Sequence, residues 1–219
     1  MTVTEFVLAY LAGGPLTPEV HQVLEECQQI QDGWLFKQKP NTPANRIDRG
    51  TGMLQQVEDP SAILITAQWD TPEAHWDWIR TEENKAAMAK LGPLLVAEGE
   101  KKLLLFHIDS VIFPQRAEGV SSPLASAVTS VRRYFVKASD KERFSSRFEQ
   151  AKGLLDKRGF KGGWRIEREN CDSDEFLLFN GWASVDEHNQ FLASPEFSHL
   201  ESLADYAKEV DAKLYKRIV

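Results

Sequence analysis

Apolar and polar residues run along this chain in two rhythms, one of period two and one of three to four, and the order of the rhythms repeats. Thr4 to Leu11 is an extended run rich in Phe, Val, Leu and Tyr, closed by Gly13-Gly14-Pro15, and predicts a first β-strand. Thr17 then stands as an N-cap before Pro18, and Val20, Val23, Leu24, Cys27 and Ile30 follow at helical steps, predicting an amphipathic helix. Residues 32–50 are polar, with Pro40, Pro43 and Gly50, and read as a long loop. Met53 to Val57 predicts a short strand, Glu58-Asp59-Pro60 a turn, and Ala62 to Trp69 a strong strand. A helix is expected from Thr71-Pro72 to about Lys90, and Lys102 to Ile108 closes the half as a strand.

The second half runs through the same order. Ser130 to Lys137 predicts a strand, and Ser139 with Glu142 a capping box ahead of the stripe Phe144, Phe148, Ala151 and Leu155. Gly163 to Glu169 and Phe176 to Trp182 predict two more strands. Ser184 and Glu187 form another capping box, and Ser194-Pro195 is expected to break the helix that follows. A second segment then carries Phe197, Leu200, Leu203, Ala204 and Ala207. Leu214 to Val219 is the expected last strand. Each half is thus β-α-β-β-α-β, the ferredoxin-like order. The expected division is 1–108 and 130–219, joined by a Pro-, Gly- and Ser-containing linker at 109–129.

A short unit marks the repeat. Trp69-Asp-Thr-Pro-Glu-Ala-His75 and Trp182-Ala-Ser-Val-Asp-Glu-His188 share a Trp, a hydroxyl residue, an acid and a His, with the same Trp-to-His interval. In Ala62 to Trp69 and in Phe176 to Trp182 both alternating faces are largely apolar. A sheet wet on one side should alternate cleanly, so these strands are covered twice. Helices supply one cover and the sheet of the other half the second. The expectation is an α+β chain in which two ferredoxin-like repeats pack sheet-to-sheet as an intrachain barrel.

Composition narrows the partners. The 219 residues carry a net charge of −7 with scattered basic residues, which argues against a duplex nucleic-acid binder. Cys27 and Cys171 lack metal-ligand spacing and are expected to be free thiols. The apolar run at residues 3–11 is too short to span a bilayer and has no basic residues before it, so a cytoplasmic protein is expected.

Candidate chemistry centres on histidine. With Thr71 and Ser184 as N-caps, His75 and His188 fall in the first helical turn, on the apolar side, where the helix N-terminus disfavours the imidazolium. A neutral imidazole in a pocket can act as a general base. The plainer reading is that each His stacks under its Trp and bonds a backbone carbonyl. Trp69 and Trp182 read as core residues or as ligand platforms. His107 shares a face with Leu103 and Leu105. It is expected to be exposed at a strand end, with a cavity unique to the first half as the alternative. Tyr10 and Tyr134 could donate a proton to a carbonyl or pack in the core. No Ser-His-Asp order, P-loop or Gly-x-Gly-x-x-Gly is present, and no ligand cluster suggests a metal.

The motifs in order carry a family likeness. Gly52 with Val57-Glu58-Asp59-Pro60, the strand ending in Trp69, and Thr71-x-Glu73-Ala74-His75 form one set. Gly163-Trp164, the strand ending in Trp182, Ser184-x-x-Glu187-His188 and Ser194-Pro195-Glu196-Phe197 form the other. On these the chain resembles the antibiotic-biosynthesis-monooxygenase-like domains of the dimeric α/β-barrel superfamily, in the fused two-copy form of fungal proteins. The resemblance implies a pocket in each half and activities ranging from cofactor-independent oxygenation to cyclisation, isomerisation and haem degradation. Two departures stand out. Ile65 and Leu178 occupy the position where monooxygenase members carry an Asn, and Ile79 and Leu192 the region where haem-degrading members carry a His.

Two functions compete at this level. The first is a cofactor-independent enzyme acting on a lipophilic oxygenated small molecule, with His75 and His188 as catalytic bases and Trp69, Trp182, Tyr10, His107 and Trp78 around the substrate. The second is a non-catalytic binding or interaction protein that keeps the barrel. Haem is a minor option. Fusion already supplies the sheet-to-sheet contact, so either a monomer with an internal pseudo-dimer or a homodimer is expected.

Overall fold

The computed structural model describes residues 1–114, 122–168 and 170–219. In chain order the first half holds β1 (Val3–Tyr10), α1 (Pro18–Gln38), β2 (Gly52–Gln56), β3 (Ala62–Thr66), β4 (Gln68–Trp69), α2 (Pro72–Ile79), α3 (Glu82–Leu91) and β5 (Leu104–Ile108). The second holds β6 (Val128–Lys137), α4 (Lys141–Lys157), β7 (Lys161–Trp164), β8 (Ser173–Trp182), α5 (Val185–Leu192), α6 (Ser198–Ala204) and β9 (Glu209–Arg217).

All strands belong to one antiparallel sheet in the order β5-β1-β3-β2-β9-β6-β8-β7, with β4 extending the β3 ladder along β1. Within each half the order is the same: last strand, first, third, second. The halves join edge to edge where β2 pairs with β9. The outer edges also meet, because Asp109 N–H donates to the Trp164 carbonyl at 2.9 Å and Ile166 N–H to the His107 carbonyl at 2.8 Å. The sheet is thereby closed into a barrel. Glycine makes the second junction possible, since a Cβ on Gly163 would lie 2.7 Å from Ile108 Cγ2 and Asp109 Oδ1.

Alternation along each strand divides the side chains between two cores. Phe6, Leu8, Leu54, Leu64, Phe106, Ile108, Val131, Leu177 and Phe179 point inward and form one cluster drawn from both halves. On the outer face Leu24, Cys27, Met53, Ile63, Ala87 and Leu91 pack the first sheet against its helices. Tyr134, Phe144, Phe176, Leu178, Trp182 and Phe191 do the same in the second. The doubly apolar third strands are therefore covered on both faces, as their sequences require.

Several expectations need correction. The helix foreseen from Thr71 to Lys90 is two helices, because the Thr81 hydroxyl donates to the Trp78 carbonyl and accepts from Asn84 N–H, ending one and capping the next. α1 continues to Gln38, well into the expected loop. The Ser139 capping box gives way to a 3-10 turn, with α4 starting at Lys141. β7 stops at Trp164, and Glu169, placed in that strand by the sequence, lies outside the described residues. β9 begins at Glu209 and ends at Arg217. Finally, the expected linker is partly core: Ile112, Phe113 and Leu124 are fully buried in the barrel cluster, while 115–121 lie outside the described residues.

Candidate active site

On the outer face of the first sheet, Leu105, Val7, Ile65 and Met53 stand in one row, each opposite the next across paired strands. This row is the floor of a cavity of about 220 Å3 roofed by Gln28 of α1, Trp78 of α2 and Ala87 of α3. The lining is mostly apolar. Met88 and Leu103, two of the exposed large apolar residues, also line it and mark its mouth. Glu5 and His75 face the same space.

Glu5 was not among the residues singled out by sequence. It sits on β1 between Val3 and Val7, on the helix-facing side, and is 5% exposed. An acid inside an apolar stripe was the available signal, since buried polar groups are the informative exceptions. Its Oε2 accepts the Trp69 indole N–H at 2.6 Å and lies 3.4 Å from His75 Nε2. Burial pushes the carboxyl up to about 7, the Trp69 hydrogen bond opposing the rise.

His75 is buried and stacks on Trp69 with ring centroids 4.6 Å apart and planes 11° from parallel. Its Nδ1 meets His107 Nε2 at 2.8 Å, so its partner is a second imidazole where a backbone carbonyl was the simpler expectation. Burial, and next the neighbouring His107, pull the His75 ring down to about 3. Near neutral pH it is uncharged, and its contact with Glu5 is a neutral pair below the titration of the carboxyl.

His107 corrects the sequence reading outright. The expected exposure at a strand end is replaced by complete burial, because the closing edge of the barrel lies over it. His107 Nδ1 is 2.6 Å from Glu167 Oε1, and its backbone N–H donates to Glu167 Oε2 at 2.8 Å. Burial would raise the Glu167 carboxyl, but these two hydrogen bonds more than offset it and hold it below the usual range. Glu5 and His107 are direct cross-strand neighbours.

The second half lacks this arrangement. Val3 pairs with Trp69 and Val128 with Trp182, which makes Ser130 the counterpart of Glu5. Trp182 Nε1 accordingly donates to Ser130 Oγ at 2.8 Å. Glu5 faces His107 and Ser130 faces Leu214, so Leu214 replaces His107. His188 is half-buried against Trp182, and its Nδ1 has no hydrogen-bond partner among the described residues. Burial again lowers its pKa first.

Of the residues expected around a substrate, the structure places His75 and Trp78 on the cavity wall and His107 directly behind His75. Trp69 is core beneath them. Trp182 and His188 belong to the other half, and Tyr10 packs against the barrel interior with the Lys101 ammonium 5.1 Å over its ring. Among the described residues no cluster of His, Cys, Asp and Glu is placed to hold a metal ion, and no helix is long and apolar enough to cross a membrane.

No protein-family model and no curated protein matches the sequence. Solved structures do match over almost the whole chain. An anthrone oxidase-like protein aligns with 98% of this chain and 91% of its own at 12% identity and a TM-score of 0.61. A candidate monooxygenase from Fusobacterium nucleatum aligns with 100% of this chain and 93% of its own at 12% identity and a TM-score of 0.61. A haem-binding protein from Thermus thermophilus aligns with 99% of this chain and 92% of its own at 10% identity and a TM-score of 0.53. At such identities the likeness establishes the fold, the α+β dimeric α/β barrel.

Proposed function

We propose that the protein is a cofactor-independent enzyme acting on a lipophilic, oxygenated small molecule of polyketide type, with its site in the first half. The carrying observation is a single titratable carboxyl, Glu5, buried against an apolar cavity and tuned to about 7. A base poised near the working pH combines the correct protonation state with useful driving force. Its setting fits a substrate with an acidic C–H or phenolic O–H beside a carbonyl. Glu5 takes that proton. The resulting enolate is held among Val7, Ile65 and Trp78, then closes a ring, isomerises or reacts with dioxygen.

This reading moves the base from His75, the expectation from sequence, to Glu5. A ring lowered to about 3 is a weak base, so His75 serves as the neighbour that exchanges a proton with the carboxyl. The second half, with Ser130 and Leu214 in the corresponding places, supports the barrel. We take the halves as 1–108 and 130–219, copies of one ancestral unit. His75 is poorly placed as a haem ligand, because its Nδ1 meets His107 and its Nε2 faces Glu5.

The test is a thermal-shift panel of aromatic polyketide mimics, followed by turnover assays on the binders. Ligands that bind the native state raise its apparent stability. The reading expects binders among phenolic and diketone ligands, with turnover lost in Glu5→Gln and binding retained. A flat panel, or full turnover in Glu5→Gln, overturns it.

A further inference from the structure

We propose that His75, His107 and Glu167 form a proton relay that connects Glu5 in the cavity of the first half to solvent at a carboxylate supplied by the second half. The proposal rests on Glu5 being the proton-handling group. It stands on an unbroken line of contacts: Glu5 Oε2 to His75 Nε2 at 3.4 Å, His75 Nδ1 to His107 Nε2 at 2.8 Å, and His107 Nδ1 to Glu167 Oε1 at 2.6 Å. Both nitrogens of each imidazole are used, one toward each neighbour, as a relay requires. The exit is accessible: the Glu167 side chain is 33% exposed, whereas Glu5 and both rings are buried.

The protons balance in one direction of travel. In the loaded state Glu5 carries its proton, His75 donates through Nδ1–H to His107 Nε2, and His107 donates through Nδ1–H to the Glu167 carboxylate. On unloading, the His107 Nδ1 proton passes to Glu167 and on to water, and the part-exposed carboxylate turns that oxygen from the ring so that it no longer faces the Nδ1 lone pair. The His75 Nδ1 proton passes to His107 Nε2, and the Glu5 proton passes to His75 Nε2. One proton leaves, no electrons move, and each ring changes tautomer. Glu5 is left as a carboxylate accepting from Trp69 and from His75. On the neighbouring elements α1 and α3 present Gln28, Gln31 and Asn84, and Glu73 on α2 is a further carboxylate coupled to His107.

A buried base that takes one proton per turnover needs a return path that stays open while substrate fills the cavity and its mouth at Met88 and Leu103. The barrel closure provides it, since Ile166 N–H on the His107 carbonyl holds Glu167 in place. The second half thus completes the site of the first as a positioning element without touching the substrate.

The test uses the free, full-length protein and needs no substrate, so its outcome is separate from that of the ligand panel. Long-range 15N–1H spectra of 15N-labelled protein, recorded from pH 5 to 9, read the tautomer of each ring. The relay predicts that His75 changes from Nδ1–H to Nε2–H through one midpoint shared with His107. It also predicts that water exchange of the His75 ring proton slows roughly tenfold or more in Glu167→Gln, a rate that a purely structural Glu167 leaves alone. A His75 ring in one tautomer throughout, or unchanged exchange in Glu167→Gln, overturns the relay. Ligand binding with either result leaves the functional reading standing.

Discussion

The Trp69 indole N–H donates to Glu5 Oε2 at 2.6 Å, while the equivalent indole of Trp182 donates to the Ser130 hydroxyl. The same tryptophan in the two halves therefore holds an ionisable group in one and a neutral group in the other. That difference, a single residue on the first strand of each half, is why the proposed base lies in the first half.

Glu5 makes stability fall with rising pH. Its folded pKa, about 7, lies above its ordinary 4.5, so between these values the native state keeps a proton that the unfolded chain has lost. The contribution is complete below 4.5, declines through that window and is gone above 7, a loss of about 3 kcal/mol. Glu5→Gln removes the decline. Chemical denaturation at pH 8 should find the variant more stable than the parent by up to that amount, with little difference at pH 4. An equal difference at both pH values counts against a buried, protonated Glu5.

His75 acts in the opposite sense. Its folded pKa is lowered from 6.5 to about 3, so its contribution is present above 6.5 and is lost as pH falls toward 3. The two slopes oppose each other between 4.5 and 6.5, where parent stability should be nearly flat. In Glu5→Gln the His75 limb is no longer opposed by Glu5, and stability should then rise with pH over this interval. Urea midpoints across the range measure it.

Val7 is at the centre of the cavity floor. Val7→Phe should fill the space above it, leaving stability within about 1 kcal/mol of the parent because the added ring occupies an existing void. Ligand-induced thermal shifts should vanish. Retained shifts place the ligand elsewhere.

Gly163→Val pushes a branched side chain into Ile108 and Asp109, where even a Cβ is 2.7 Å away. The expected cost is about 1–3 kcal/mol from forced separation of the closing edges. The same separation draws Glu167 away from His107, so the His107 ring signals should move in the 15N spectra although residue 163 touches neither side chain. Unchanged His107 signals contradict the coupling between closure and relay.

Phe179 is buried in the barrel and packs on Phe6 of the other half and on Phe113. Phe179→Ala should cost about 3–5 kcal/mol. Because the core is shared, the loss should appear in one cooperative transition, with tryptophan signals of both halves melting together. Separate transitions contradict a shared core.

The sequence by itself determined the fold. Period-two and helical patterns, the caps at Thr17, Thr71 and Ser184 and the doubly apolar third strands specify two β-α-β-β-α-β halves whose sheets cover each other, because each feature is local or follows from burial alone. It also brought His75 and Trp78 forward as residues of one helix face. Only the tertiary structure brought the candidate site together. Glu5, His75, His107 and Glu167 lie on four separate segments, and nothing local announces that they meet. His107 looked exposed because a strand end is exposed until another edge pairs with it. Edge pairing is a long-range event whose register is set by the whole closed sheet. The burial that follows makes Glu5 hold its proton and His75 give its proton up. The chemistry of these side chains is thus a property of the closed barrel, and the residue types alone do not carry it.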